Sequence, residues 1–133
     1  MNKLFILFIS IFIVSTSFSQ DRQCGQLPVI KPSEKAVCNN DVAKILNENL
    51  PQVFKKDIAY HSSFKIILDC NGIIDFVVYK KGNLNTEQQK YFLTQINKLK
   101  DWEVAKQNDR YVSSVLYITI DVKNRKAEYK FYQ

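Results

Sequence analysis

Few side chains in this 133-residue chain could do chemistry, and their spacing limits what that chemistry is. His61 is the only histidine. The Ser62-Ser63 pair after it leads into an alternating apolar run, not onto the strained strand-to-helix turn that exposes a nucleophilic serine. Asp69 and Asp75 flank a turn, where solvated strand-end carboxylates are expected in place of the facing pair of a glycosidase. Three glycines do not make a phosphate-cradling loop. The reading is therefore a non-enzymatic protein with no catalytic residue and no cofactor. Cys24, Cys38 and Cys70 are spaced neither as C-x-x-C nor as a zinc ribbon, and one histidine leaves a metal site short of ligands. No metal is expected. Three cysteines allow one disulfide, which suits an oxidising compartment.

The start of the chain points to such a compartment. Asn2 and Lys3 give a short positive start, Leu4 to Val14 is apolar apart from Ser10, and Ser17 and Ser19 stand at −3 and −1 of a cut before Gln20. This is the pattern of a cleaved secretory signal peptide over residues 1–19. The apolar run falls short of the ~20 residues a membrane-spanning helix needs. No stable membrane insertion is expected after cleavage, an uncleaved anchor being the alternative. Cys24 follows Asp-Arg-Gln and is poorly placed for lipidation. An exported protein, periplasmic or secreted, is expected. The formal charge is +6, one less without Lys3. Lys55-Lys56, Lys80-Lys81 and Arg125-Lys126 are scattered pairs with no shared stripe, so no nucleic-acid partner is expected.

These residues need elements to position them. Residues 20–39, with Gly25, Pro28 and Pro32, read as an extended lead-in, and residues 40–133 as one domain. Asn39 and Asn40 can cap a helix over about 41–49, with Val42, Ile45, Leu46, Asn49 and Val53 at helical spacing. Pro51 interrupts it, with a kink or restart through Gln52 to Lys56. Phe64 to Tyr79 reads as a hairpin with two possible registers. A two-residue Asn71-Gly72 loop would set Asp75 beside the apolar row. A Cys70-Asn71-Gly72 loop closed by a left-handed Gly72 pairs Leu68 with Ile74, Ile66 with Phe76 and Phe64 with Val78, making one face wholly apolar. The second register is expected, and it places Cys70 on the turn. Cys38 with Cys70 is then the expected disulfide, with Cys24 to Cys38 the alternative. Thr86 and Gln89 suit a capping box for a second helix whose stripe is Phe92, Leu93, Ile96 and Leu99. A strand from Tyr111 to Val122 follows, with Val112, Leu116, Ile118, Ile120 and Val122 on one face and Ser114 interrupting. Lys123-Asn124-Arg125 reads as a turn, and Lys126 to Tyr132 as a short last strand. The fold class is α+β, two helices on one face of a three- or four-stranded antiparallel or mixed sheet, in the order α-β-β-α-β(-β).

Over residues 45–122 this order resembles the C-terminal domain of TonB proteins. Leu50-Pro51-Gln52-Val53-Phe54 stands where that family has an aromatic-Pro step. Asp69 and Gly72 match its Asp-x-x-Gly hairpin, and Trp102-Glu103-Val104-Ala105 its Trp-x-Pro-Ala. The chain departs from the family at Leu50, at Val104 and at Asp109, which stand for an aromatic, a proline and a glycine. The resemblance implies structural roles for Gly72 and Trp102. It also implies binding of a protein or peptide of the cell envelope by strand addition at a sheet edge, or on the sheet's open face. The candidate edge is Tyr111, Ser113, Val115, Tyr117 and Thr119. If the last strand pairs there, that edge is filled. The alternatives are a structural or accessory envelope protein without a peptide ligand, and an enzyme inhibitor.

Overall fold

The computed structural model describes Cys24 and residues 27–133. The expected leader, residues 1–19, lies outside the described residues. The elements are β1 (Val37–Cys38), α1 (Val42–Asn47), β2 (Tyr60–Leu68), β3 (Ile74–Gly82), α2 (Thr86–Ile96), β4 (Trp102–Glu103), β5 (Lys106–Gln107), β6 (Arg110–Tyr111), β7 (Ser114–Lys123) and β8 (Lys126–Tyr132). The main sheet has the order β3-β2-β7-β8 and every pair in it is antiparallel. Two small ladders, β1 with β4 and β5 with β6, accompany it. Because successive strand side chains alternate, Phe64, Ile66 and Leu68 of β2 share a face with Leu116, Ile118, Ile120 and Val122 of β7. They are buried together with Val42 and Leu46 of α1 and Phe92 and Ile96 of α2. The α+β class holds, and the last strand is present.

The hairpin turn forms as expected. Asp69 N–H donates to Ile73 O at 2.8 Å, Leu68 faces Ile74, and Gly72 is left-handed at φ +82°. The Asp69 carboxylate accepts from the amides of Asn71 (2.8 Å) and Ile73 (2.9 Å), tying the loop to its own first residue. The expected register then fails. A bulge at Asp75 puts Phe76 opposite Ile67, Val77 opposite Ile66 and Tyr79 opposite Phe64. One surplus residue inverts the side-chain order. Val77 and Tyr79 pack against the core, and Phe76 and Val78 turn to solvent. A second irregularity, between Ser63 and Phe64, leaves Lys80 without an opposite residue.

Both helices differ from expectation at their ends. Asp41 caps α1 by accepting from Lys44 N–H at 3.2 Å, and the helix stops at Asn47. The chain does not restart as a helix after Pro51; it turns so that Phe54 drops fully into the core, edge-on to Tyr60 at 5.3 Å between ring centres. In α2 the capping box uses Asn85 and Gln88, one residue before the expected Thr86 and Gln89. Trp102 donates its indole N–H to Leu99 O at 2.8 Å, and its ring centre lies 5.8 Å from that of Phe131.

The disulfide joins Cys24 to Cys70, with Cα atoms 5.4 Å apart, and Cys38 is free. Both expected pairings, Cys38 with Cys70 and Cys24 with Cys38, are overturned. Cys38 is held in β1 opposite Trp102, while the lead-in runs back along β7 and delivers Cys24 to the hairpin turn. Closing 46 residues of chain, the bond stabilises the fold by about 4 kcal/mol through loop-closure entropy.

Gly82 and Gly72 make a direct comparison. A Cβ on Gly82, at φ +136°, would lie 2.1 Å from His61 O, whereas one on Gly72 would meet nothing nearer than Val104 at 3.6 Å. Gly82→Ala should cost at least about 2 kcal/mol and Gly72→Ala about 1 kcal/mol, read as shifts in the urea midpoint.

Candidate functional site

The sheet face away from the helices is ordered by register into cross-strand rows. Nearest the hairpin turn, Phe76, Ile67 and Val115 lie side by side; in the next row stand Val78, Lys65, Tyr117 and Tyr132. Farther along come Ser63, Thr119 and Lys130, then His61, Asp121 and Glu128. Apolar and aromatic groups thus gather at one end and charge at the other. Phe76 is 48%, Val78 38% and Tyr132 47% exposed, and Ile73 on the turn is 61% exposed. The Lys130 ammonium sits 5.2 Å above the Tyr132 ring centre, a cation–π contact at the border of the apolar end. At the charged end, a recess is lined by Asp121, Lys123, Asn124, Lys126 and Glu128.

The residues assigned to a binding edge are not an edge. β7 is interior, paired to β2 on one side and to β8 from Tyr117 to Lys123 on the other. Where β8 stops, Val29 N–H takes Ser113 O at 2.8 Å and Val29 O takes Val115 N–H at 3.1 Å. Tyr111 belongs to β6, opposite Lys106, whose ammonium lies 5.0 Å above its ring. Val115, Tyr117 and Thr119 are instead brought together on the open face, where they share rows with residues the sequence reading left out. The outer side of β3 has no strand partner among the described residues, but its two irregularities blunt it as a template. On the outer side of β8, the Asn47 amide holds Ala127 N–H (2.7 Å) and O (3.0 Å).

His61 and its neighbouring serine part company. The His61 ring Nδ1 contacts the Asp121 carboxylate on the open face, while Ser62 points to the core and donates to Ile120 O at 3.0 Å. The Cys38 thiol donates to Asn40 Oδ1 at 3.5 Å. Burial, with the Asp101 charge adding to it, pushes this thiol above its ordinary pKa, against the opposing pull of the Asn40 backbone N–H. Among the described residues no group of three or more His, Cys, Asp or Glu could hold a metal ion, and no helix is long and apolar enough to cross a membrane.

A set of side chains that holds the stretch between α1 and β2 was missed in the sequence. The last turn of α1 and the irregular stretch after it, as far as Phe54, present carbonyls outside any regular ladder, though Ile45 O accepts the Glu48 N–H and Pro51 O the Phe54 N–H. Side chains from elsewhere take them. Arg125, itself left-handed at φ +61°, donates to Leu50 O (2.9 Å), Pro51 O (3.1 Å) and Phe54 O (2.7 Å). The Tyr91 hydroxyl is shared between Leu46 O (2.9 Å) and Glu48 O (2.7 Å); Gln88 reaches Val53 O at 3.1 Å, and Gln95 reaches Ile45 O. A signal was present: Gln88, Tyr91 and Gln95 are spaced to share one helix face beside the apolar stripe.

Arg125→Ala should destabilise the protein by about 3 kcal/mol, because three charge-assisted bonds are lost. Arg125→Gly relieves the left-handed backbone and should recover only part of that, as thermal melts of the three proteins would show. Tyr91 gives a pH test. Burial, and secondarily the Glu48 charge, push its pKa up to about 12. Its contribution is complete below the ordinary tyrosine value of 10.0 and is lost as pH rises through about 12. Urea midpoints of the native protein should therefore fall more steeply than those of Tyr91→Phe across that window; parallel curves would contradict this.

No protein-family model, curated protein or solved structure matches this chain.

Proposed function

We propose that this chain is a non-catalytic, exported binding module of TonB C-terminal-like type that holds a protein of the cell envelope against the open face of its sheet. The observation that carries the reading is the apolar and aromatic end of that face, Phe76, Val78, Tyr117 and Tyr132 in adjacent rows. A solvated sheet face normally alternates to polar residues, so exposed aromatic groups in contiguous rows are what a docking surface offers. Lys65 stands within the patch, between Val78 and Tyr117, and Lys130 borders it, which favours a partner that brings acidic groups among its apolar ones. Export is supported by the leader pattern together with the Cys24–Cys70 bond. The likeness to the TonB domain is supported by the helix–hairpin–helix–Trp–strand order and by the closeness of Gly72 to Trp102. Strand addition on β7 is disfavoured, because both sides of β7 are occupied.

Affinity capture from the source envelope, with residues 20–133 as bait, tests the reading. A partner retained by the native protein should be lost or bound at least about tenfold more weakly by Phe76→Ser/Tyr132→Ser. Both positions are exposed, so the fold should survive, as circular dichroism can verify. Equal retention by both proteins, or no partner at all, would count against the open face.

A further inference from the structure

Apolar side chains project from the end of the molecule that carries the hairpin turn. Ile73 is exposed on the turn itself, and the lead-in adds two more. Val29 lies parallel to β7 opposite Ser114, and Ile30 follows at the position beside Val115. Leu27 is 83% and Ile30 67% exposed, the highest values among the large apolar residues described. The Cys24–Cys70 bond fastens the start of the lead-in to the same turn, so Leu27, Ile30 and Ile73 share one pole. Basic groups stand among them. Lys31 follows Ile30 and is exposed, and Lys100 shares a recess with Ile73, Ile74 and Leu99. The carboxylate of Asp69, within the turn, is already taken by the amides of Asn71 and Ile73, which leaves Asp75 on the bulge as the exposed acidic group of the hairpin. The sequence places a leader pattern directly before this pole. Residues 20–24 span at most about 18 Å when extended, so a chain still joined to residues 1–19 is held with Leu27 and Ile73 toward the bilayer that the leader enters.

We propose that this pole rests on an anionic lipid surface, with Leu27, Ile30 and Ile73 dipping into the headgroup layer and Lys31 and Lys100 facing its phosphates. Apolar tips bury hydrocarbon area at the interface, while lysine stems lie along the apolar layer and carry their ammonium groups to the headgroups. Each basic group near an anionic surface adds attraction that falls off within a Debye length. The contact is peripheral and reversible, since three tips without a spanning segment give only modest membrane affinity. Leader and pole then act in sequence: the first brings the chain to the bilayer, and the second keeps the mature domain on it after the cut. The inference does not rest on the protein-binding reading, whose rows begin at Phe76 and run away from the pole along the open face.

Co-sedimentation of residues 20–133 with phosphatidylglycerol vesicles tests this, with phosphatidylcholine vesicles as the neutral comparison. The native protein should bind the anionic vesicles at least about tenfold more tightly than the neutral ones. Ile30→Ser/Ile73→Ser changes two exposed positions, so circular dichroism should be unaltered while binding to phosphatidylglycerol falls at least about tenfold. Lys31→Glu/Lys100→Glu alters no apolar side chain and should remove the preference for anionic vesicles, which decides the matter if the first variant fails to fold. Phe76→Ser/Tyr132→Ser should sediment with the vesicles as the native protein does, whether or not it still captures a protein partner. The protein-docking reading and the lipid reading therefore fail independently. No sedimentation of the native protein, equal binding to both vesicles, or native-like binding by Ile30→Ser/Ile73→Ser overturns the proposal. So does a loss of vesicle binding confined to Phe76→Ser/Tyr132→Ser, which would assign the lipid contact to the open face.

Discussion

A single surplus residue, Asp75, governs what this molecule presents to its surroundings. Side chains on a strand alternate strictly, so one inserted residue exchanges the two faces for everything beyond it. With the bulge, Val77 and Tyr79 complete the core beside Phe64 and Ile66, and Phe76 and Val78 are left in solvent. Without it Val77 and Tyr79 would stand on the open face in place of Phe76 and Val78. The same bulge distorts the outer rim of β3, which would otherwise be a template for another chain. One local irregularity thus decides which side chains the open face presents and distorts the rim of β3.

Why the sequence reading followed the fold and missed the bulge is visible in Ile73-Ile74-Asp75-Phe76-Val77-Val78-Tyr79. Apolar residues occupy both parities, so the pattern supports either face and only tertiary packing chooses between them. The strand with one uninterrupted aliphatic parity was legible: Leu116, Ile118, Ile120 and Val122 are all buried as their spacing implies. The stripe of α2 was legible for the same reason. The interior position of β7 was not, since it depends on pairings with segments far apart in the chain. The lead-in has no period at all, which is why its route, and with it the partner of Cys70, lay beyond reach of pattern. For the candidate site, Val115, Tyr117 and Thr119 were named for the wrong reason, as a rim, and belong to the face.

The stretch between α1 and β2 shows a different dependence. It has too few residues in regular structure to satisfy its own backbone, and it is ordered by borrowed donors: a guanidinium, a phenol and three amides, counting Asn47 on Ala127 in the reverse direction. Several of these carbonyls have a second donor, as Ile45 O has Glu48 N–H and Val53 O has the Tyr60 hydroxyl, so the frame is shared among bonds. The buried ring of Phe54 at the end of this stretch fixes where the carbonyls point, and so connects apolar packing to the polar frame.

Those borrowed donors also set the order in which the chain can finish folding. Arg125 reaches back 75 residues to Leu50, Asn47 reaches 80 residues forward to Ala127, and Gln133, the final residue, closes on Ala36 across 97. Ala36, Asn47 and Leu50 therefore lack these partners until residues 125–133 are available. A ribosome or translocation pore releasing this chain from its N-terminus would leave these bonds open until residues 125–133 emerged. Loss of the Gln133 side chain would be felt 97 residues back, at Ala36.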